Sequence, residues 1–151
     1  MQKIRKAPVD ESPKQREAEA DLTPAQAIAA HLREGDYAGA TRHYFSLDTR
    51  EQRLSINSDV ALALGEYLLG TRAYDEAQTI FRRFISERPN DREIDRAYLG
   101  AGKAMIHQPR HITSAYQYFL SAVETARSKD LEDEARMHLR GIEQMGEKKR
   151  E

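Results

Sequence analysis

The sequence predicts an all-α fold, an α-solenoid built from repeated helix–turn–helix units. Helix-forming residues (Ala, Leu, Glu, Arg and Gln) dominate the composition, with only 8 glycines and 5 prolines. Val and Ile, which favour strands, are few. Apolar and small residues recur on single helical stripes, and these stripes return every 36 to 38 residues. A fixed return distance of this size is typical of stacked helical repeats.

The chain is predicted to divide into three parts. Residues 1–21 combine prolines with alternating charges and few apolar side chains, so they are predicted to form an N-terminal tail or linker without a packed core. Residues 22–146 form the predicted repeat domain, and residues 147–151 a short charged end. The first helix is expected to begin with Thr23 as N-cap and Pro24 at the first helical position, and to end at Gly35 in a left-handed conformation.

The first helix of each predicted unit carries apolar or small residues at i, i+3, i+4 and i+7, which form one helical stripe. The four occurrences are Ala25, Ile28, Ala29 and Leu32; Ala61, Leu64, Gly65 and Leu68; Tyr98, Ala101, Gly102 and Met105; and Ala135, His138, Leu139 and Ile142. The last helix, at about residues 130–146, has no partner and is predicted to cap the array.

A second helix follows each of the first three, with a stripe at i, i+3, i+7 and i+10. Its members are Tyr37, Ala40, Tyr44 and Leu47; Tyr74, Ala77, Phe81 and Phe84; and Ile112, Ala115, Phe119 and Ala122. Small residues allow the paired helices to approach, and a large residue one turn away fills the remaining space. A single pair cannot bury its whole apolar surface, so neighbouring pairs are expected to stack.

These spacings resemble the tetratricopeptide repeat (TPR). Gly65 and Tyr74-x2-Ala77-x3-Phe81-x7-Pro89 match its motif, as does "GDYAGATRHYF" in the first unit, and the resemblance covers about residues 22–145. The third unit carries "HQPRHIT" where the family has a turn glycine. The family period is about 34 residues. The surplus here lies between units, in "DTREQRLSINS" and "RPNDREIDR", as extended chain or extra helical turns.

The resemblance implies three repeats and a capping helix, with the first helices lining a concave groove that binds an extended or helical peptide. Apolar residues at the centre and basic residues around them predict a partner with apolar anchors and some acidic residues. Glu66 and Lys103 have a second interpretation, since they could simply pair with each other. The predicted groove residues are Gln26, Arg33, Leu62, Glu66, Leu69, Leu99, Lys103, Ile106, Arg136 and Arg140.

Other function classes have little support in the sequence. The chain has 24 basic and 25 acidic residues, which argues against binding nucleic acid by bulk attraction. It has no cysteine and no apolar run long enough for a membrane span. His107 and His111 have a metal-ligand spacing, but Pro109 between them should turn the chain. "LGAGKAM" lacks the preceding strand of a phosphate loop. We therefore expect no catalytic, metal or cofactor site.

The leading hypothesis is a non-enzymatic adaptor, either a cytoplasmic protein or a cytoplasmic domain of a larger one. The first alternative is a chaperone of secretion substrates, which resembles this chain in architecture and predicts a homodimer through the first repeat or the N-terminal segment. The second alternative is a scaffold subunit that assembles head to tail. The polar cap predicted at residues 130–151 argues against open stacking at that end.

Overall fold

The computed structural model describes residues 22–54 and 56–150. These residues form eight α-helices and one 3-10 helix and contain no strand, which confirms the all-α class. The predicted tail, residues 1–21, lies outside the described residues. The chain divides into two compact units between Ile56 and Asn57, inside the predicted 22–146 domain.

The first unit contains α1 (Pro24–Arg33), α2 (Tyr37–Ser46) and the short α3 (Thr49–Leu54). The start of α1 is the predicted one, because the Thr23 hydroxyl accepts the Gln26 N–H and the Gln26 side-chain oxygen accepts the Thr23 N–H. Gly35 has a φ of 76°, which confirms the left-handed turn before α2. Helices α1 and α2 pack against each other.

The surplus segment after α2 is helical. Helix α3 occupies Thr49–Leu54, and Gln52 on it is buried. The Gln52 side-chain amide donates to the carbonyl oxygens of Tyr44 at 3.2 Å and Leu47 at 3.0 Å. Tyr44 lies in the last turn of α2 and Leu47 is its C-cap residue, at the helix end where carbonyl groups lack α-helical donors. The extra turn therefore satisfies the end of α2.

The second unit contains five longer helices. They are α4 (Ser58–Gly70), α5 (Tyr74–Glu87), α6 (Ile94–Met105), α7 (Ile112–Thr125) and α8 (Lys129–Arg150), with a 3-10 turn at Pro109–His111 before α7. Each helix packs on the next; α4 also contacts α6, and α6 also contacts α8. Helices α4, α6 and α8 hold the positions of the predicted first helices, and α5 and α7 those of the second helices. Helix α8 continues to Arg150, beyond its predicted end near residue 146.

Two phenylalanines set the spacing of these helices. The Phe81 ring lies between α4 and α6, where a Cβ built on Gly65 would be 2.6 Å from its Cζ and one on Gly100 only 2.3 Å. Phe119 repeats the arrangement between α6 and α8: it lies against Gly102, and its ring stacks on His138 at 4.7 Å. Gly65 thus corresponds to Gly102 and Gly100 to His138, a repeat of 37 and then 38 residues.

A hydrogen bond connects the start of each of two first helices, α4 and α6, to the segment that precedes the next first helix. At the first, the Ser58 hydroxyl at the start of α4 bonds to the Asp91 carboxylate before α6. At the second, the buried Asp95 carboxylate at the start of α6 accepts the Arg127 backbone N–H at 2.9 Å before α8. A buried carboxylate is tolerated only where hydrogen bonds compensate its lost hydration, so Asp95 has a structural role.

Candidate functional site

The structure buries two of the four apolar residues predicted at the centre of the groove, which were Leu62, Leu69, Leu99 and Ile106. Leu62 is fully buried and Leu99 is 9% exposed, so the prediction that they line an accessible groove is wrong. Leu99 belongs to a core cluster with Phe119 of α7 and Ala135 of α8. Its face of α6 is therefore covered by the helices that follow. A stripe read from one helix does not show what the next helix covers.

Two charged residues predicted around the apolar centre of the groove, Glu66 and Lys103, each have another partner. Glu66 and Lys103 do not pair with each other. Glu66 accepts from Arg96 of α6 at 2.8 Å, and Lys103 donates to Glu134 of α8 at 2.9 Å. The Glu66 hydrogen bond raises the pKa of Arg96, and Glu93, 3.5 Å from Arg96, adds to the effect. Both candidate charges are thus used to join successive first helices.

The remaining apolar groove candidates are partly accessible. Leu69 at the end of α4 and Ile106 after α6 are half-buried, and Ile106 packs against the cluster around Phe119. Gln26 and Arg33 are exposed in the first unit, where the Gln26 side chain is engaged in the N-cap of α1.

The capping helix is shifted by one position from the predicted alignment. Arg96 and Glu134 form corresponding ion pairs and are 38 residues apart, as are Gly100 and His138. The same spacing places Met137 and Gly141, instead of Arg136 and Arg140, at the positions of Leu99 and Lys103. Arg136 pairs with Glu132 of its own helix at 2.9 Å. Arg140 is exposed and has no ion-pair partner in the part of the chain that the structure describes.

This alignment reveals an apolar strip on α8 that the sequence reasoning missed. Met137, Gly141 and Met145 succeed one another at four-residue intervals and therefore share one helical face. Met137 is 53% and Met145 45% exposed, the two largest exposures of bulky apolar side chains among the described residues. A Cβ built on Gly141 would meet no atom within 4 Å. We call Met137, Gly141 and Met145 the α8 strip. The α8 strip could have been predicted from the sequence, because its residues follow Leu99, Lys103 and His107 by 38 positions.

His138 lies on the buried side of the same helix. Its ring stacks almost parallel on Phe119, with 9° between the planes. Burial lowers the pKa of His138; Glu134 at 3.8 Å opposes this shift and the charge of Lys103 reinforces it. The sequence assigned His138 to the packed stripe, and this contact agrees with that assignment.

The residues considered for chemistry have structural surroundings. The His107 ring stacks on Tyr74 with centroids 4.0 Å apart, and "LGAGKAM" lies within α6. Within residues 22–54 and 56–150, no group of three or more His, Asp or Glu side chains could hold a metal ion.

Comparison with known proteins gives no assignment: no family model matches the chain, and no curated protein matches it. None of the helices in the described ranges is long and apolar enough to cross a membrane.

Proposed function

We propose that the protein is a non-enzymatic interaction module of the TPR type that binds an amphipathic helix of another protein on the α8 strip. The exposure of Met137 at the position where α6 buries Leu99 carries this proposal. In α6, this face is covered by α8. In α8, the corresponding face is open. A partner helix would occupy the place that a further first helix would take.

The side chains of the strip suit such a partner. Methionine is unbranched and adaptable, and exposed methionines are common at binding surfaces that accept varied helices. Gly141 between them allows close approach of a partner backbone. Arg140, beside the strip, offers a charge to a carboxylate. The expected partner is therefore a helix with an apolar stripe flanked by an acidic residue.

A photo-crosslinking experiment tests this proposal. A photoreactive residue at position 137 is expected to crosslink a helical, amphipathic segment of a partner protein, identified by mass spectrometry. Met137→Glu places a charge in the centre of the contact and should weaken binding of that segment by at least about tenfold. Because Met137 is exposed, the variant should unfold at nearly the wild-type temperature.

The matched control is Gln117→Glu, which adds the same charge at an exposed position of α7. If this control keeps wild-type affinity for the partner segment and Met137→Glu loses it, the result supports binding on the α8 strip. Equal affinity in both variants contradicts it and moves the site elsewhere. The accessible residues of the predicted groove, Glu66, Leu69, Lys103 and Ile106, are then the next candidates.

Self-assembly is the second candidate, because the same open face could accept a helix of another copy. Sedimentation analysis distinguishes the two. A wild-type dimer that Met137→Glu converts to monomer favours self-assembly, whereas a monomer that crosslinks a different protein favours the interaction module.

A further inference from the structure

The junction between α5 and α6 is closed by two side-chain contacts. The Tyr74 ring stacks on His107 with centroids 4.0 Å apart, and the Asp75 carboxylate accepts the Gln108 amide at 2.8 Å. These contacts join the start of the second helix to the turn after the next first helix. They seal that end of the helix pair.

The corresponding junction between α7 and α8 is open. The 38-residue spacing places Ile112 and Thr113 at the positions of Tyr74 and Asp75, and Met145 and Gly146 at those of His107 and Gln108. Gly146 has no side chain to reach Thr113, and a Cβ built on it would meet no atom within 4 Å. A cleft of about 540 Å³ results, a volume within the usual range of ligand sites. It contains none of the predicted groove residues.

The lining of this cleft is apolar at its base and acidic at its edge. Ile112 and Ile142 supply the apolar side chains, and Ile142 is 9% exposed. The Tyr116 hydroxyl donates to Glu143 at 2.9 Å, which raises the pKa of Tyr116 and holds the carboxylate beside the cleft. Glu147 lines the cleft one turn further along α8. Like charges at this spacing are mutually unfavourable, so a cation between them would be stabilised.

We propose that the α7–α8 cleft binds a protein segment in which a lysine or arginine accompanies aliphatic side chains. The aliphatic groups and the methylene stem of the basic residue pack on Ile112 and Ile142, while the cationic end reaches Glu143 and Glu147. Long basic side chains commonly bury their stems in this way and keep the charge at the surface. Charge complementarity selects a basic segment over an acidic one of equal hydrophobicity.

Fluorescence anisotropy with three labelled peptides tests the proposed chemistry. The probes are short peptides of alternating Lys and Leu, alternating Lys and Ser, and alternating Glu and Leu. The Lys–Leu peptide is expected to bind about tenfold more tightly than either of the others. Equal affinity for the Lys–Ser peptide would show that only surface charge attracts the peptide. Equal affinity for the Glu–Leu peptide would show that the carboxylates do not contribute to binding. Either result overturns the proposal.

Two protein variants place the binding in the cleft. Gly146→Leu fills it, and Gly70→Leu is the control, because Gly70 at the end of α4 has equal free space but lines neither the cleft nor the α8 strip. Gly146→Leu should lower the affinity for the Lys–Leu peptide by about tenfold, whereas the affinity of the control variant should stay within about twofold of wild type. Equal affinities in the two variants overturn the assignment.

A charge variant keeps the test valid if Gly146→Leu unfolds. Glu143→Gln with Glu147→Gln changes only exposed carboxylates. This variant should bind the Lys–Leu peptide about tenfold more weakly, and the salt dependence of binding should fall. Wild-type affinity and salt dependence would overturn the proposal.

Discussion

Gly100→Ala should destabilise the second unit although alanine is the better helix former. The added Cβ would lie 2.3 Å from the Phe81 Cζ atom, far inside van der Waals contact. The same ring edge faces Gly65 of α4, where a Cβ would be 2.6 Å away. Phe81 is fully buried, so its ring cannot retreat from α6 without moving toward α4. The two helices would have to separate.

The magnitude follows from two opposing terms. Replacing glycine by alanine within a helix stabilises by about 1 kcal/mol. Overpacking a filled core costs about 1 to 3 kcal/mol, and the short distance here places the cost near the upper end. We therefore expect a net loss of about 1 to 2 kcal/mol in the free energy of unfolding. Gly141→Ala, in open space on α8, should instead gain up to about 1 kcal/mol.

Urea denaturation of the two variants measures this difference, and a double-mutant cycle identifies its cause. Phe81→Leu removes the ring edge, so Gly100→Ala should be much less harmful in that background. A coupling of about 1 to 2 kcal/mol is expected. Equal effects of Gly100→Ala and Gly141→Ala, or a coupling near zero, would show that the ring does not separate α4 from α6.

Two further predictions concern a turn and a histidine. Arg72 has a φ of 65°, a left-handed conformation that is unfavourable for a side chain, so Arg72→Gly should raise the free energy of unfolding by about 1 kcal/mol; no change in a urea titration would argue against a strained turn. Burial lowers the pKa of His138 in the folded protein below the value of about 6.5 that the residue has in the unfolded chain. The unfolded state therefore binds the proton more readily below about pH 6.5. Stability should be fully present above about pH 6.5 and decline as the pH falls below that value toward the lowered pKa of folded His138. His138→Gln should flatten this decline, and an unchanged pH profile would contradict the assignment.

The helices of the second unit could be predicted because their periodic signals are strong. Gly65, Phe81 and Phe119 occupy contact positions where only a small residue or a ring fits, and their spacing is visible in the chain. The burial of Leu99 could not be predicted in this way, since it depends on which helix α8 covers. A periodic stripe indicates that one face of a helix is apolar. It does not indicate which other helix covers that face.

The candidate binding surfaces were harder to predict than the fold. The apolar stripe of α8 can be aligned with α6 in two registers one residue apart, and only contacts such as Phe119 with His138 decide between them. That choice replaces Arg136 by Met137 at the open face. The α7–α8 cleft arises from the side chain that Gly146 lacks, and an absent contact leaves no periodic signal.

The ion pairs between first helices also specify the order of the repeats. Glu66 faces Arg96, whereas at the next step the signs are exchanged and Lys103 faces Glu134. Packing α8 directly on α4 would place Glu66 against Glu134, and following α6 by a second α6 would place Lys103 against Arg96. Each correct pair adds only about 0 to 1 kcal/mol. Each of these wrong pairings would bring like charges together. Arrangements in which a helix pair is skipped, duplicated or swapped between chains are therefore less stable during folding, when similar helices compete for the same neighbour.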